Sequence, residues 1–136
     1  MANSVTTQIL QDGPRNVIVK FEGVLDTSDL ASTTVLDPAT LSAIDNATGQ
    51  LATKLAIQHI ICDVEQGLSV NLFWDATTPV RIGEYVGYLD AKYFKLQALQ
   101  NNAGAGVTGK ITATTQGWSA GAILSFALYI HCVKQV

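Results

Sequence analysis

The chain is 136 residues long, 48% apolar and only 14% charged, with a formal net charge of −3, whereas ordinary globular proteins carry about 25% charged residues. That length fits one domain and leaves no room for a second of ordinary size. The eight Lys and Arg are scattered under a negative balance, so nucleic acid finds no basic footprint to bind.

Fourteen threonines, with many Ser, Asn and Gln, cover the surface that charge does not. Their branched β-carbons favour strands. The start, Met1 to Gln8, has neither the basic nor the apolar region of a secretory signal, which predicts folding in a cytoplasm. About residues 1–8 read as an N-terminal arm running into a first strand, Val5 to Gln11. Asp12-Gly13-Pro14 ends that strand, because proline cannot donate to a ladder. Arg15 to Leu25 is the expected hairpin partner, with Val17, Val19 and Phe21 on one face. Asp26 to Asp29 predicts a turn, Val35-Leu36 a short strand, and the passage to Gln50 one helical turn. The aspartates there, Asp26, Asp29, Asp37 and Asp45, match no calcium-loop spacing and suit turn chemistry.

Leu51 to Asp75 predicts a central hairpin, two strands reversed at Gln66-Gly67, with Val70, Leu72 and Trp74 sharing a face. Val80 to Leu89 reads as one partly exposed strand or two short ones, with bulges at Gly83 and Gly87. Asp90 to Leu99 carries Tyr93, Phe94 and Leu96, and Gln100 to Gly109 is a glycine-rich loop. Lys110 to Gln116 alternates as a strand, Gly117 to Gly121 turns, and Ala122 to Val133 predicts the last and longest strand. In it Leu124, Phe126, Leu128, Ile130 and Cys132 align at period two; a helix from Ala120 is the competing reading. From Leu96 to Val136 the only charges are Lys110 and Lys134, so this part must lie inside a sheet or against another chain. No apolar run reaches membrane-spanning length, and Cys62 and Cys132 are expected as unpaired core thiols.

Three patterns match catalytic or ligand motifs on paper. Gly104-Ala-Gly106-Val-Thr-Gly109 has the dinucleotide-binding spacing, but no helix pattern follows and no acidic residue occurs from Ala91 onward. Gly117-Trp-Ser119-Ala-Gly121 has the spacing of a nucleophile elbow; His131 follows, but no carboxylate does. His59, Cys62, His131 and Cys132 resemble zinc ligands, yet within each pair the two side chains would straddle a sheet. The expectation is therefore no catalytic, cofactor or metal residues.

At Phe21 to Asp26, Asn71 to Thr78, and above all Leu99 to Trp118, the chain resembles small virion structural proteins of tailed bacteriophages and prophages. The resemblance implies a capsid decoration or cement protein made in the bacterial cytoplasm and carried on the capsid surface, with a neck or tail position as the alternative. It implies the major capsid protein and further copies of itself, as dimer or trimer, as partners, with no cofactor, nucleic acid or membrane. The predicted fold is a single antiparallel β-sandwich of about eight strands over residues 1–136, jelly-roll-like. Candidate contacts are Asn3, Val5, Asp26, Asp29, Asn101, Asn102, Gly104, Gly106 and Trp118. A carbohydrate-binding tail module is the competing class, with Trp118, Tyr85 and Tyr88 as stacking residues.

Overall fold

The computed structural model describes residues 3–93 and 98–136, and among these described residues there are nine strands. They are β1 (Ser4–Asp12), β2 (Asn16–Leu25), β3 (Thr33–Leu36), β4 (Lys54–Val64), β5 (Ser69–Trp74), β6 (Val80–Tyr85), β7 (Tyr88–Lys92), β8 (Ile111–Gln116) and β9 (Leu124–Gln135). A 3₁₀ turn, Pro38–Thr40, supplies the expected helical turn, capped by the Asp37 carboxylate on Ala39 N at 3.0 Å. The fold is an all-β sandwich of two antiparallel sheets. One has the order β1-β2-β9-β4-β7 and the other β3-β8-β5-β6.

Ladder pairing explains that order. β2 pairs with β9, β3 with β8, β4 with β7 and β5 with β6, so the chain from Asn16 onward is one long ribbon doubled back on itself. The ribbon is then rolled, which brings β9 against β4 and β8 against β5. Alternation decides which face is inside: Val17, Val19, Phe21 and Leu25 of β2 and Phe126, Leu128, Ile130 and Cys132 of β9 all point inward and are buried. They meet Val70, Leu72 and Trp74 of β5 and Ile111 and Ala113 of β8. Phe21 and Phe126 pack with ring centroids 5.4 Å apart.

The last segment is a strand and not a helix, and both β8 and β9 are interior strands. An interior position accounts for the shortage of charge in β8 and β9, because neither strand has a free edge to solvate, but not for that of the largely exposed segments 100–109 and 117–123. Phe94 and Leu96 lie outside the described residues.

The predicted central hairpin is corrected. β4 and β5 do follow one another through a turn at Gly67, but they belong to different sheets and share no ladder. Both edges of β4 are taken by distant partners, β7 and β9. The turn therefore carries the chain from one layer to the other. Val80 to Leu89 likewise divides into β6 and β7, one in each sheet, with Gly87 at the crossing. The bulge predicted near Gly83 is present, the β5–β6 register slipping between Leu72 and Phe73 opposite Gly83 and Arg81.

The segment read as the N-terminal arm overlaps the first strand. Residues 4–8 belong to β1 and pair with β2 through Ser4↔Val24, Thr6↔Glu22 and Gln8↔Lys20. Met1 and Ala2 lie outside the described residues.

Candidate functional site

The candidate contact residues fall at opposite ends of the sandwich. β5 runs from Ser69, opposite Gln116, to Trp74, opposite Ile111, and each end of that pairing marks an end of the fold. At the Gln116 end, Asn3 fastens the segment after β2. Its Oδ1 accepts hydrogen bonds from Asp26 N (2.8 Å), Thr27 N (3.0 Å) and Thr27 Oγ1 (3.2 Å), while its Nδ2 donates to Ser28 O (3.1 Å). Asp29 Oδ1 then accepts from Thr115 Oγ1 and Trp118 N, both at 3.1 Å, and Thr115 Oγ1 accepts from Leu30 N at 2.7 Å. Trp118 is half-buried against the core, its indole N–H donating to Ala122 O at 3.0 Å. Asn3 with Asp26, and Asp29 with Trp118, thus form two bonded groups joined by the chain between Asp26 and Asp29, with Val5 nearby in β1.

Such local side-chain bonds fix loop backbone without regular structure. Asn3→Ala removes the acceptor of two loop amides and is expected to lower stability by about 1 kcal/mol. Thermal melting, together with faster amide exchange at Asp26 and Thr27, measures this.

At the Ile111 end, Asn101, Asn102, Gly104 and Gly106 lie in the loop before β8. Asn101 Oδ1 accepts from Ala103 N at 3.0 Å, Thr77 N donates to Ala105 O at 3.2 Å, and Thr108 Oγ1 donates to Asp75 Oδ2 at 2.7 Å. Two glycines of the dinucleotide-like motif, Gly106 and Gly109, serve this packing. Gly109 has φ +85°, and a Cβ there would stand 2.0 Å from the Thr53 carbonyl oxygen. The close approach that a pyrophosphate would need is filled by the chain's own backbone, and a strand follows instead of a helix.

The same end holds a feature that composition conceals. Lys134 lies in the inward register of Leu128, Ile130 and Cys132, and its side chain is 0% exposed. Its ammonium donates to Asp12 Oδ1 (2.5 Å), Gly13 O (2.6 Å) and Ser42 O (2.8 Å), which uses all three protons. Burial works against ionisation of Asp12, but Lys134 and the bond from Ser42 outweigh it, and the carboxyl is held below its ordinary value. The period-two pattern continued two residues past Cys132 would have found this lysine.

The elbow-like motif does not assemble a site. Ser119 is exposed in the turn before β9, whereas His131 lies seven residues along that strand from Leu124, roughly 23 Å away. The four zinc-like residues separate as alternation requires. Cys62 and Cys132 are buried free thiols inside, while His59 and His131 are cross-strand neighbours on the outer face. Each histidine is engaged there, His59 with Asp90 and His131 with Asn16 Oδ1 at 3.1 Å. Among the described residues no group of three or more His, Cys, Asp or Glu could hold a metal ion.

Partial burial and then the neighbouring His59 depress the His131 pKa. The unfolded chain therefore takes up a proton that the folded one resists, so stability falls as pH drops from about 6.5 toward the folded value. Melting temperature measured from pH 7.5 to 5.5 should decline less steeply in His131→Asn than in the unsubstituted protein.

Of the three proposed stacking aromatics, Tyr85 is buried with its hydroxyl 3.1 Å from that of Tyr93, Trp118 is half-buried, and Tyr88 is 75% exposed. No protein-family model matches the chain, and no curated protein matches it.

Proposed function

We propose that the chain is a virion structural protein of a tailed bacteriophage or prophage, a capsid decoration or cement protein that binds the head lattice and stabilises it. One observation carries this reading beyond the sequence resemblance: the loops at both ends are locked by the chain's own side chains, so the molecule offers preset polar surfaces there. We read the rolled ribbon from β2 to β9 as jelly-roll-like, an architecture used by viral capsid and lectin domains, and its two-sheet sandwich is compatible with that reading.

A protein of this kind acts by adhesion. Each copy makes shallow contacts with the major capsid protein, and repetition over the lattice turns them into avidity. Asn3, Asp26, Asp29 and Trp118 at one end, and Asn101, Asn102, Gly104 and Gly106 at the other, are the proposed contact groups. No catalytic step, cofactor, nucleic acid or membrane enters this function, and the protein would fold in the host cytoplasm before joining the capsid surface.

Quantitative mass spectrometry of purified virions tests the reading through copy number relative to the major capsid protein. Hundreds of copies in fixed ratio are expected. A dozen or fewer would place the chain at the neck or tail, and absence from the particle would end the structural reading. The exposure of Tyr88 favours one second reading, a carbohydrate-binding tail module. Glycan binding lost on Tyr88→Ala with the fold intact would support it.

A further inference from the structure

We propose that two copies of this chain join through β1, edge to edge and antiparallel, about a two-fold axis centred on Thr7. The inference stands on the strand itself and does not depend on the virion reading. An unpaired strand edge is a template for association, and proteins guard it with charge, proline, bulges or brevity.

Three of the four sheet edges here are guarded. β7 has five residues and carries Asp90 and Lys92, β6 carries Arg81, Glu84 and a bulge, and β3 has four residues. β1 is different. It is nine residues long, has no charged side chain from Ser4 to Gln11, and has its only register slip beyond Ile9. It is also exposed on both faces along nearly its whole length.

The occupant follows from what β1 presents. Its partners Val5↔Gly23, Thr7↔Phe21 and Ile9↔Val19 place Val5, Thr7 and Ile9 on the face that in β2 forms the core. In β1 that face is poorly covered, and Ile9 remains 43% exposed. Pairing about Thr7 sets Thr7 opposite its own copy and Val5 opposite Ile9 of the other chain. The four apolar side chains then flank a Thr–Thr pair on one side, while Thr6 meets Gln8 on the other. Both are favourable cross-strand combinations.

An uncharged strand meets its own copy without like-charge repulsion. The ladder from Ser4 to Leu10 would supply about six to eight backbone hydrogen bonds, within the range of about 10 ± 5 for stable interfaces. The two five-stranded sheets would become one sheet of ten.

Light scattering and a cysteine scan on the full chain test this. The unsubstituted protein should be a dimer at high micromolar concentration, and Thr7→Lys, which sets two ammonium groups against each other at the axis, should give a monomer with an unchanged circular dichroism spectrum. Thr7→Cys should cross-link on mild oxidation, because the paired Cα atoms stand about 4.5–5.5 Å apart. Val5→Cys should not, its two copies lying four residues apart along the ladder, roughly 13 Å. A monomer at all concentrations, a dimer that survives Thr7→Lys, or cross-linking of Val5→Cys in preference to Thr7→Cys would overturn the proposal. So would a monomer whose β1 amides gain protection only on capsid shells, since the edge would then belong to a strand of another protein.

Discussion

Lys134→Met is expected to lower stability by about 3–5 kcal/mol at neutral pH, the cost of leaving a partly buried carboxylate without its cation. For a domain of this size that corresponds to a fall in melting temperature on the order of 15 °C. The size follows from what the ammonium holds together. With Asp12, Gly13 and Ser42 it ties the β1–β2 turn and the segment after the 3₁₀ turn to the end of β9. Methionine fills the same volume but donates nothing, so the two carbonyl oxygens lose their partner and Asp12 is left with the bond from Ser42 N.

The double variant Asp12→Leu with Lys134→Met should recover much of the loss, because a buried ion pair replaced as a pair is often near neutral. Recovery would show that the single variant fails through an uncompensated charge and not through shape. If Lys134→Met melted within about 2 °C of the unsubstituted protein, the ammonium would not be buried as described. The pH dependence has a definite sign. The folded pKa of Asp12 lies below its unfolded value of 3.8, so this contribution is present in full above about pH 4 and disappears as pH falls through the folded pKa. The single variant should have lost that acid limb.

Strand positions and inward faces were legible because alternation is a local property. Val17, Val19 and Phe21, or Leu128, Ile130 and Cys132, declare their side of a sheet without knowledge of any partner. Partner choice is not local. The turn at Gly67 shows only that the chain reverses; whether β4 then pairs with β5 depends on β7 and β9, whose residues lie far along the chain. The hairpin expectation failed for that reason, whereas of the two readings of the charge-poor segment, inside a sheet or against another chain, the first describes β8 and β9, because burial of whole strands shows in composition. The candidate contacts were chosen from the N-terminal arm (Asn3, Val5) and from loops and turns. Their division between two ends was not visible, since it depends on the same rolled topology. Lys134 was counted as a charge among few, when its register already placed it inside.

Gly117→Val should cost about 3 kcal/mol or more, although Gly117 is itself exposed and belongs to a turn. Two independent constraints act on this position. Its φ is +106°, a region that a β-branched residue enters only under strain. A Cβ would also stand 2.1 Å from the Gly67 carbonyl oxygen and 3.2 Å from its carbon, and this neighbour is backbone that no rotamer change can withdraw. The corner that carries β4 into β5 therefore rests directly on the turn that carries β8 into β9. Either the corner shifts, loosening the passage between the sheets, or Gly117 swings out and takes Trp118 N away from Asp29. Gly121 is the control within the same motif. Its φ is also positive, +88°, but nothing lies within 4 Å of where its Cβ would be, so Gly121→Ala should cost only the backbone term, about 1 kcal/mol. Parallel thermal melts of the two variants separate strain from contact. Equal losses would mean that the approach of Gly67 to Gly117 contributes nothing. A larger loss at Gly117, with faster exchange of Trp118 N, would show that this glycine is kept for a contact between two turns and not for a nucleophile.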